Sequence, residues 1–332
     1  MSGVDRHMRQ IGAGEEYAGT PVVTMGTFDG VHRGHQGLMA RARTLAATLG
    51  TDWVVVTFDP PPSEVLRGDA APRQLTPLEE KLWWLERWGA PAVAVVPFTP
   101  DLAAWSGERF LDEVVQGRLH ARAVVEGPNF TYGAGGRGNL DTLMRWGAAA
   151  GVLVERARPV SVDGAEGALL SSSRIRAAVA AQDVAVVAAS LGRPYSATGL
   201  VVPGDGRGRT IGVPTANLAL SPKKLMPPAG VYAGWAWTAE CRWPAVANFG
   251  WRPTFGGQAP RLEVHLLDAA PGLDLYGVRL AMSLAVAVRP ERRFAAVDAL
   301  VAQIQQDIAL VRALAAQDRL PSPDGVFGHG AS

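Results

Sequence analysis

The chain has 332 residues, 48% of them hydrophobic and 19% charged, and its 32 Lys+Arg against 31 Asp+Glu give a formal net charge of +1. That length predicts two domains, each long enough to bury a core of its own. The charge balance excludes a polycation built to coat nucleic acid and a strongly acidic solvating protein, and the apolar content excludes a disordered chain.

Cys241 is the one cysteine, so no intramolecular disulfide can form and a reducing compartment is allowed. The amino-terminal stretch carries Asp5, Arg6, Arg9, Glu15 and Glu16 and lacks the apolar core of a signal peptide. The longest uncharged apolar runs, 146–154 and 280–288, are about nine residues, where a membrane span needs roughly 18. A cytoplasmic protein with no membrane or nucleic-acid partner is expected. Lysine occurs only at Lys81, Lys223 and Lys224, none of them in a Gly-Lys-Ser/Thr context. Any ATP is therefore handled without a P-loop.

The first strand is predicted over 21–25, closed by Gly26. Gly26-Thr27-Phe28-Asp29-Gly30-Val31-His32-Arg33-Gly34-His35 then leads into a helix over 35–49. The carboxyl end of a first parallel strand is where doubly wound sheets bind ligands. Gly26, Gly30 and Gly34 let backbone approach a ligand, and the helix amino end points N–H groups at any phosphate there. His32 and His35, three apart, would share one face of a helical first turn and could donate hydrogen bonds to a developing phosphorane. Taken alone, the two histidines could also be half a zinc site or a structural pair.

Further strands are predicted over 54–58, 93–96, 123–125 and 152–154, alternating with helices over 79–88, 107–116 and 139–150. This alternation indicates βαβ units and a parallel sheet, and short apolar strands without in–out alternation fit a sheet covered on both faces. The strand over 123–125 runs into Glu126-Gly127-Pro128-Asn129-Phe130-Thr131-Tyr132-Gly133. Gly133-Ala134-Gly135-Gly136-Arg137-Gly138 matches a dinucleotide fingerprint, with Glu155 beyond the next helix. It does not leave its strand at once, so that reading is rejected. In Leu170-Ser171-Ser172-Ser173-Arg174-Ile175-Arg176, serines would cap a helix and Arg174 or Arg176 could grip phosphates with a planar fork. Alone, the string could be only a helix cap. The domain boundary is expected between Leu191 and Gly199, giving domains 1–192 and 193–332.

Beyond it, strands over 199–202, 230–238, 245–249, 262–267 and 278–288 follow one another, which reads as a small antiparallel barrel or sandwich. A helix over 296–314 closes it, with an apolar stripe of Val297, Leu300, Val301, Ile304, Ile308 and Val311. The tail over 318–332 is expected to fray. The glycine-dense run Gly204-Asp205-Gly206-Arg207-Gly208-Arg209-Thr210-Ile211-Gly212-Val213-Pro214-Thr215-Ala216-Asn217 suggests a loop lying against a ligand; Arg207 and Arg209 could be merely solvated. The Thr215 hydroxyl and Asn217 carbonyl, two apart in extended chain, fall on one side and suit Mg²⁺, although an ordinary turn would read the same. Glu263 stands in an apolar run, so it needs either a job or an ion-pair partner.

Taken in order, these motifs resemble the prokaryotic bifunctional riboflavin kinase/FAD synthetase family over about residues 20–315. The histidine string is similar to the HxGH nucleotidyltransferase signature, and the glycine run to the ATP loop of riboflavin kinase. The resemblance implies a Rossmann-like parallel-sheet nucleotidyltransferase domain followed by a small antiparallel β-barrel with a carboxyl-terminal helix. It implies riboflavin, FMN, FAD and ATP as partners, Mg²⁺ as cofactor, and His32, His35 and Glu263 as catalytic. Gly26, Phe28, Asp29, Asn129, Ser172, Ser173 and Arg176 would hold nucleotide in the first domain, and Gly208, Gly212, Pro214, Thr215 and Asn217 in the second. Thr215 and Asn217 would also ligate the metal, and Arg289 and Glu291 would face flavin. Three positions depart from the pattern. Pro61 stands where the family often has histidine, Ser173 replaces threonine, and Leu169 stands where some members carry a cation. A monofunctional kinase or a non-catalytic flavin-binding regulator remain the alternatives.

Overall fold

Apolar segments too short for helices pair side by side in the first half of the chain. A computed structural model describes residues 8–160, 170–204, 206, 208, 211–254 and 257–323. Leu169, Arg207, Arg209 and the tail from 324 onward lie outside the described residues. Two compact units emerge, Met1–Ser171 and Ser172–Ser332.

The first unit runs β1 (Arg9–Ile11), β2 (Val22–Met25), α1 (Arg33–Leu49), β3 (Trp53–Phe58), α2 (Pro62–Arg67), α3 (Leu78–Arg87), β4 (Ala92–Val96), α4 (Pro100–Ala104) and α5 (Gly107–Phe110). It continues with β5 (Ala123–Glu126), β6 (Thr131–Tyr132), β7 (Gly138–Asn139), α6 (Leu140–Ala150) and β8 (Leu153–Arg156). The main sheet is six-stranded, in the order β1-β4-β3-β2-β5-β8. Its strands are parallel. β2 and β5 are buried along their whole length, as expected of strands covered on both faces. Strand order reverses between β2 and β5, the switch point at which such sheets take ligands. The short edge strand β1 escaped the sequence reading because only Ile11 of its three residues is buried. The rejected dinucleotide fingerprint is a hairpin: β6 pairs with β7 through Thr131↔Asn139 and Tyr132↔Gly138, and Asn139 then caps α6 in a capping box with Thr142.

The second unit begins with α7 (Ser172–Ala180) and α8 (Val184–Leu191). Then come β9 (Ser196–Val202), β10 (Ala216–Ala219), β11 (Gly230–Trp237), β12 (Arg242–Thr254), β13 (Gly257–Leu266), β14 (Arg279–Ser283), β15 (Val286–Pro290) and α9 (Val297–Ala316). Strand order β12-β13-β10-β9-β14-β11 closes on itself through β11–β12, an antiparallel barrel of six strands, and β15 adds to β11. The predicted strand over 278–288 is two strands, because Leu284 and Ala285 turn their N–H groups to the Tyr195 and Ala233 carbonyls. α7 and α8 pack on barrel residues: Gln182 donates to the Tyr232 hydroxyl at 2.8 Å, and Ala178, Val179 and Val187 share a pocket wall with Tyr195 and Leu284. The contact division therefore falls before α7. On α9, Ile308 and Val311 are buried, whereas Val297 is 61% exposed, so the apolar stripe begins at Leu300. The first part of the expected frayed tail is held: Leu320 is buried in the cluster under α9, and its carbonyl accepts from the Trp235 indole at 3.2 Å.

Barrel closure demands close backbone approach at Gly234, where a Cβ would come within 1.8 Å of the Ser283 carbonyl oxygen. Gly234→Ala is expected to destabilise the protein by about 1–3 kcal/mol, seen as a lower urea midpoint by tryptophan fluorescence. An unchanged midpoint would contradict the packing described.

Candidate functional site

In the first unit, β2 ends and the chain turns through Gly26–His35 before α1 begins at Arg33. His32 is the helix N-cap and not part of its first turn; its φ of −73° and ψ of 171° are extended. This corrects the helical placement expected from sequence. Its ring folds back, and Nδ1 accepts from the His35 backbone N–H at 3.4 Å. The two histidines still meet, because their rings stack with centroids 3.6 Å apart and 15° between planes. Gly34 makes room for the stack, since a Cβ there would lie 3.1 Å from the His32 ring. Phe28 is fully buried and supports the His35 ring at 4.9 Å. Asp29 accepts from the Thr76 N–H at 2.9 Å while the Gly30 N–H donates to the Thr76 hydroxyl at 2.7 Å, tying the turn to the segment ahead of α3.

Burial holds the His35 imidazole well below its ordinary range, helped by the nearby His32 and by the Lys81 ammonium. His35 is therefore neutral at pH 7, and its Nδ1 is buried with no hydrogen-bond partner among the described residues. Lys81 itself is 4% exposed; its amine donates to the Thr57 hydroxyl at 3.2 Å, and that hydroxyl donates to the Thr27 carbonyl at 3.2 Å. Burial pushes Lys81 down to about 8, against the pull of Asp29 and Asp59. Neither Lys81 nor the buried Glu126 was assigned a role from sequence. The signal available was a charged residue among apolar neighbours, which at Lys81 is obscured by the charged helix around it.

Asn129 lies exposed in the turn after β5, ahead of the stacked Phe130 and Tyr132 rings. Pro61 is the N-cap of α2 and offers no side-chain cap. Ser172, Ser173 and Arg176 begin α7 in the second unit, where Arg176 donates to the Ser173 hydroxyl at 3.1 Å.

In the second unit, β13 lies between β10 and β12. Glu263 is registered opposite Asn217 on one side and Asn248 on the other. Directly opposed residues project from the same face, so these three half-buried polar groups form one row. Glu263 is paired with Arg261, two residues along the same strand, and its side chain is 24% exposed. The carboxylate in the apolar run thus has an ion-pair partner and an open side. The glycine segment lies against the predicted metal ligands: a Cβ on Gly204 would fall 2.2 Å from the Asn217 amide, and one on Gly208 would fall 3.3 Å from the Thr215 hydroxyl. Gly212 turns with φ of 76°, and the Pro214 carbonyl meets His265 Nδ1 at 2.7 Å. Arg289 on β15 is bound by the buried Asp307 of α9 at 2.8 and 3.0 Å, and Gln303 donates to the same carboxylate. Glu291 packs against Gly250, where a Cβ would lie 3.0 Å from the carboxylate. Asp307 was missed because it sits beside Ile308 in a stripe read for apolar residues only.

The FAD synthetase family model matches residues 15–174, and the riboflavin kinase family model matches residues 191–315. The bifunctional riboflavin kinase/FMN adenylyltransferase of Escherichia coli strain K12 is 38% identical over 287 residues, 86% of this chain and 90% of that protein. The chain belongs to this bifunctional family. Its relative in Bacillus subtilis strain 168 is 37% identical over 292 residues, covering 86% of this chain and 90% of that protein. A crystal structure of a macrolide-efflux protein from Streptococcus pneumoniae is also similar, with a TM-score of 0.79 at 29% identity over 92% of this chain and 99% of that one. Among the described residues here, no helix is long and apolar enough to cross a membrane.

The buried Lys81 yields a pH prediction. Folded Lys81 releases its proton near pH 8, whereas the unfolded lysine holds its own to about 10.5. Across that window the unfolded chain binds more protons, so wild-type stability should rise with pH relative to Lys81→Met, by about 1.4 kcal/mol per pH unit mid-window. Parallel stability curves for the two proteins would rule out a buried, depressed Lys81.

Proposed function

We propose that the family's two activities, riboflavin kinase and FMN adenylyltransferase, use separate sets of side chains here, residues 1–192 serving adenylyl transfer and 193–332 the kinase. The first assignment is carried by the stacked pair of the buried His32 and the half-buried His35 at the carboxyl end of β2, beside the switch point. The phosphate of FMN attacks the α-phosphorus of ATP, a new P–O bond forms, and pyrophosphate leaves. The nucleophile is already an anion, so no base is needed and no covalent enzyme intermediate arises. His32, His35 and the α1 amino end stabilise the added charge. The His35 Nδ1, without a partner among the described residues, fits this, because a phosphate oxygen would satisfy it when that nitrogen carries the proton. Gly26 and Asp29 shape the turn, and Asn129, Ser172, Ser173 and Arg176 keep the phosphate-binding role that their motifs suggest.

The kinase assignment is carried by the Asn217–Glu263–Asn248 row and the glycine segment packed beside it. The 5′-hydroxyl of riboflavin attacks the γ-phosphorus of ATP, Glu263 accepts the hydroxyl proton, and ADP leaves. Thr215 and Asn217 offer neutral oxygen donors beside the glycine loop, a set suited to a hard cation that completes its shell with water and substrate phosphates. Mg²⁺ held there would neutralise phosphate charge. Gly208, Gly212 and Pro214 fix the loop, and Arg289 and Glu291 stand on the flavin side. The lone, exposed Cys241 fits a cytoplasmic setting.

Purified protein given ATP and Mg²⁺ with riboflavin or with FMN, and its products separated by chromatography, tests both assignments. His32→Ala is expected to cut FAD formation by about 100-fold or more while FMN formation persists, and Glu263→Gln to do the reverse. A folded variant that loses both activities would overturn the two-site assignment. Wild-type protein that makes FMN but no FAD would leave the monofunctional kinase, with Pro61 and Leu169 as the departures to examine. Flavin binding without product would leave the regulator.

A further inference from the structure

Glu126 is the last residue of β5, is 1% exposed, and has no part in the assignments above. β2 and β5 pair only at Val22↔Ala123 and Val23↔Val124. Beyond that point β2 stays with β3 as far as Met25↔Val56, and β5 stays with β8 as far as Glu126↔Arg156. The two central strands therefore part at their carboxyl ends, where the sheet order reverses. Parting strips the Met25 N–H of a ladder partner. The Glu126 carboxyl takes its place, accepting that N–H at 2.5 Å. The Gly127 N–H also bonds to it.

We propose that Glu126 is a positioning residue for adenylyl transfer: its side chain splices β2 to β5 across the opening and so holds the Gly26–His35 turn beside it. The proposal rests on the adenylyltransferase reading of this unit. The splice suits a neutral acid. Burial raises the carboxyl well above the ordinary carboxylate range, against the opposing pull of the Met25 and Gly127 N–H groups. An ionised carboxylate at this place would repel a triphosphate, whereas the acid does not. β2 contributes no titratable side chain. The charged or titratable groups on the other flanking segments are Asp29 in the Gly26–His35 turn, His32 at the head of α1, Arg33, His35, Arg41 and Arg43 on it, and Glu155 and Arg156 of β8; Arg41 is paired with Glu155.

The test compares wild type, Glu126→Gln, Glu126→Leu and His32→Ala in the full chain. Adenylyl transfer is followed as kcat and KM for ATP from about pH 6 to about pH 9, and riboflavin phosphorylation in the same chain is the folding control. Glu126→Leu should lower kcat/KM for adenylyl transfer by about 10- to 100-fold and leave the kinase alone. Glu126→Gln keeps the acceptor and the neutral charge, so it should rescue most of that loss.

Melting curves supply a readout independent of activity. Above about pH 4.5 the unfolded glutamic acid gives up its proton while the folded one keeps it, so wild type should lose stability relative to Glu126→Gln as pH rises. Wild-type adenylyl transfer in Glu126→Leu, a Gln variant as damaged as the Leu variant, or melting differences that do not move with pH would each overturn the proposal. Full FAD formation by His32→Ala would instead overturn the adenylyltransferase reading, and the melting arm would still judge the splice.

Discussion

The ladder between β2 and β5 stops at Val23 and Val124, and the geometry of the first site depends on how the resulting opening is bordered. One border is the Glu126 carboxyl. The other is the turn after β2, which is bent through unusual backbone: Phe28 has φ of 48°, Gly30 of 87° and Val31 of 41°. For Phe and for β-branched Val this conformation costs of order 1–3 kcal/mol each. Both side chains are fully buried, and burial of such a side chain contributes about 1.5–3 kcal/mol, enough to offset the strain. Hydrogen bonds over-determine the turn further: Thr76 binds Asp29 and Gly30, and the Gln36 side chain donates to the Val31 carbonyl at 2.8 Å. A rigid, strained turn is what can keep two histidine rings stacked at a helix start.

The second unit solves its positioning problem by register. Three strands bring Asn217, Glu263 and Asn248 level with one another, and Glu263 alone of the three carries a charge. Arg261, from the same strand and face, supplies the countercharge, so the carboxylate is held without being enclosed. The Arg289–Asp307 pair is more buried, with side-chain exposures of 16% and 4%, and it links β15 to α9. Removing one partner of such a pair leaves an uncompensated charge costing about 3–5 kcal/mol, so Arg289 sits in a frame that fixes its guanidinium.

Much of this was legible before any coordinates. The central parallel strands were mostly apolar and lacked in–out alternation, which fits a sheet covered on both faces, and the antiparallel strands came in succession between turns. The His32 and His35 pair and the Thr215–Asn217 pair could be singled out because their neighbours were glycines, and glycines beside polar groups mark close approach. What stayed hidden depends on three-dimensional register. Asn248 carries no local signal; it matters because β12 lies against β13. Ala216–Ala219 reads as loop because four residues after a glycine run show no period, and only pairing with β9 and β13 makes them a strand. Glu126 reads as the hydrophilic end of a strand, and its burial follows from the parting of β2 and β5, which no one-dimensional pattern encodes. The N-cap position of His32 was lost for a related reason: a spacing of three fits a helical turn and a folded-back cap equally well.

The charge states of the two sites follow the nucleophiles they are proposed to serve. A phosphate monoester is already an anion near neutral pH, so it needs no base, and any fixed negative charge nearby would repel it and the triphosphate together. The first site accordingly sets the His35 imidazole and the Glu126 acid, both kept neutral by burial, and the Lys81 amine poised near pH 8 beside a turn whose one carboxylate, Asp29, is tied to the Thr76 N–H. A primary alcohol is the opposite case. It must lose a proton as it attacks, and only an acceptor that can take that proton lowers the barrier. The barrel site provides a carboxylate with an arginine partner and an open side, a group that stays an acceptor while its surroundings remain compatible with phosphate. Burial that suits one of the proposed reactions would disable the other, which gives a physical reason for serving them with separate sets of side chains.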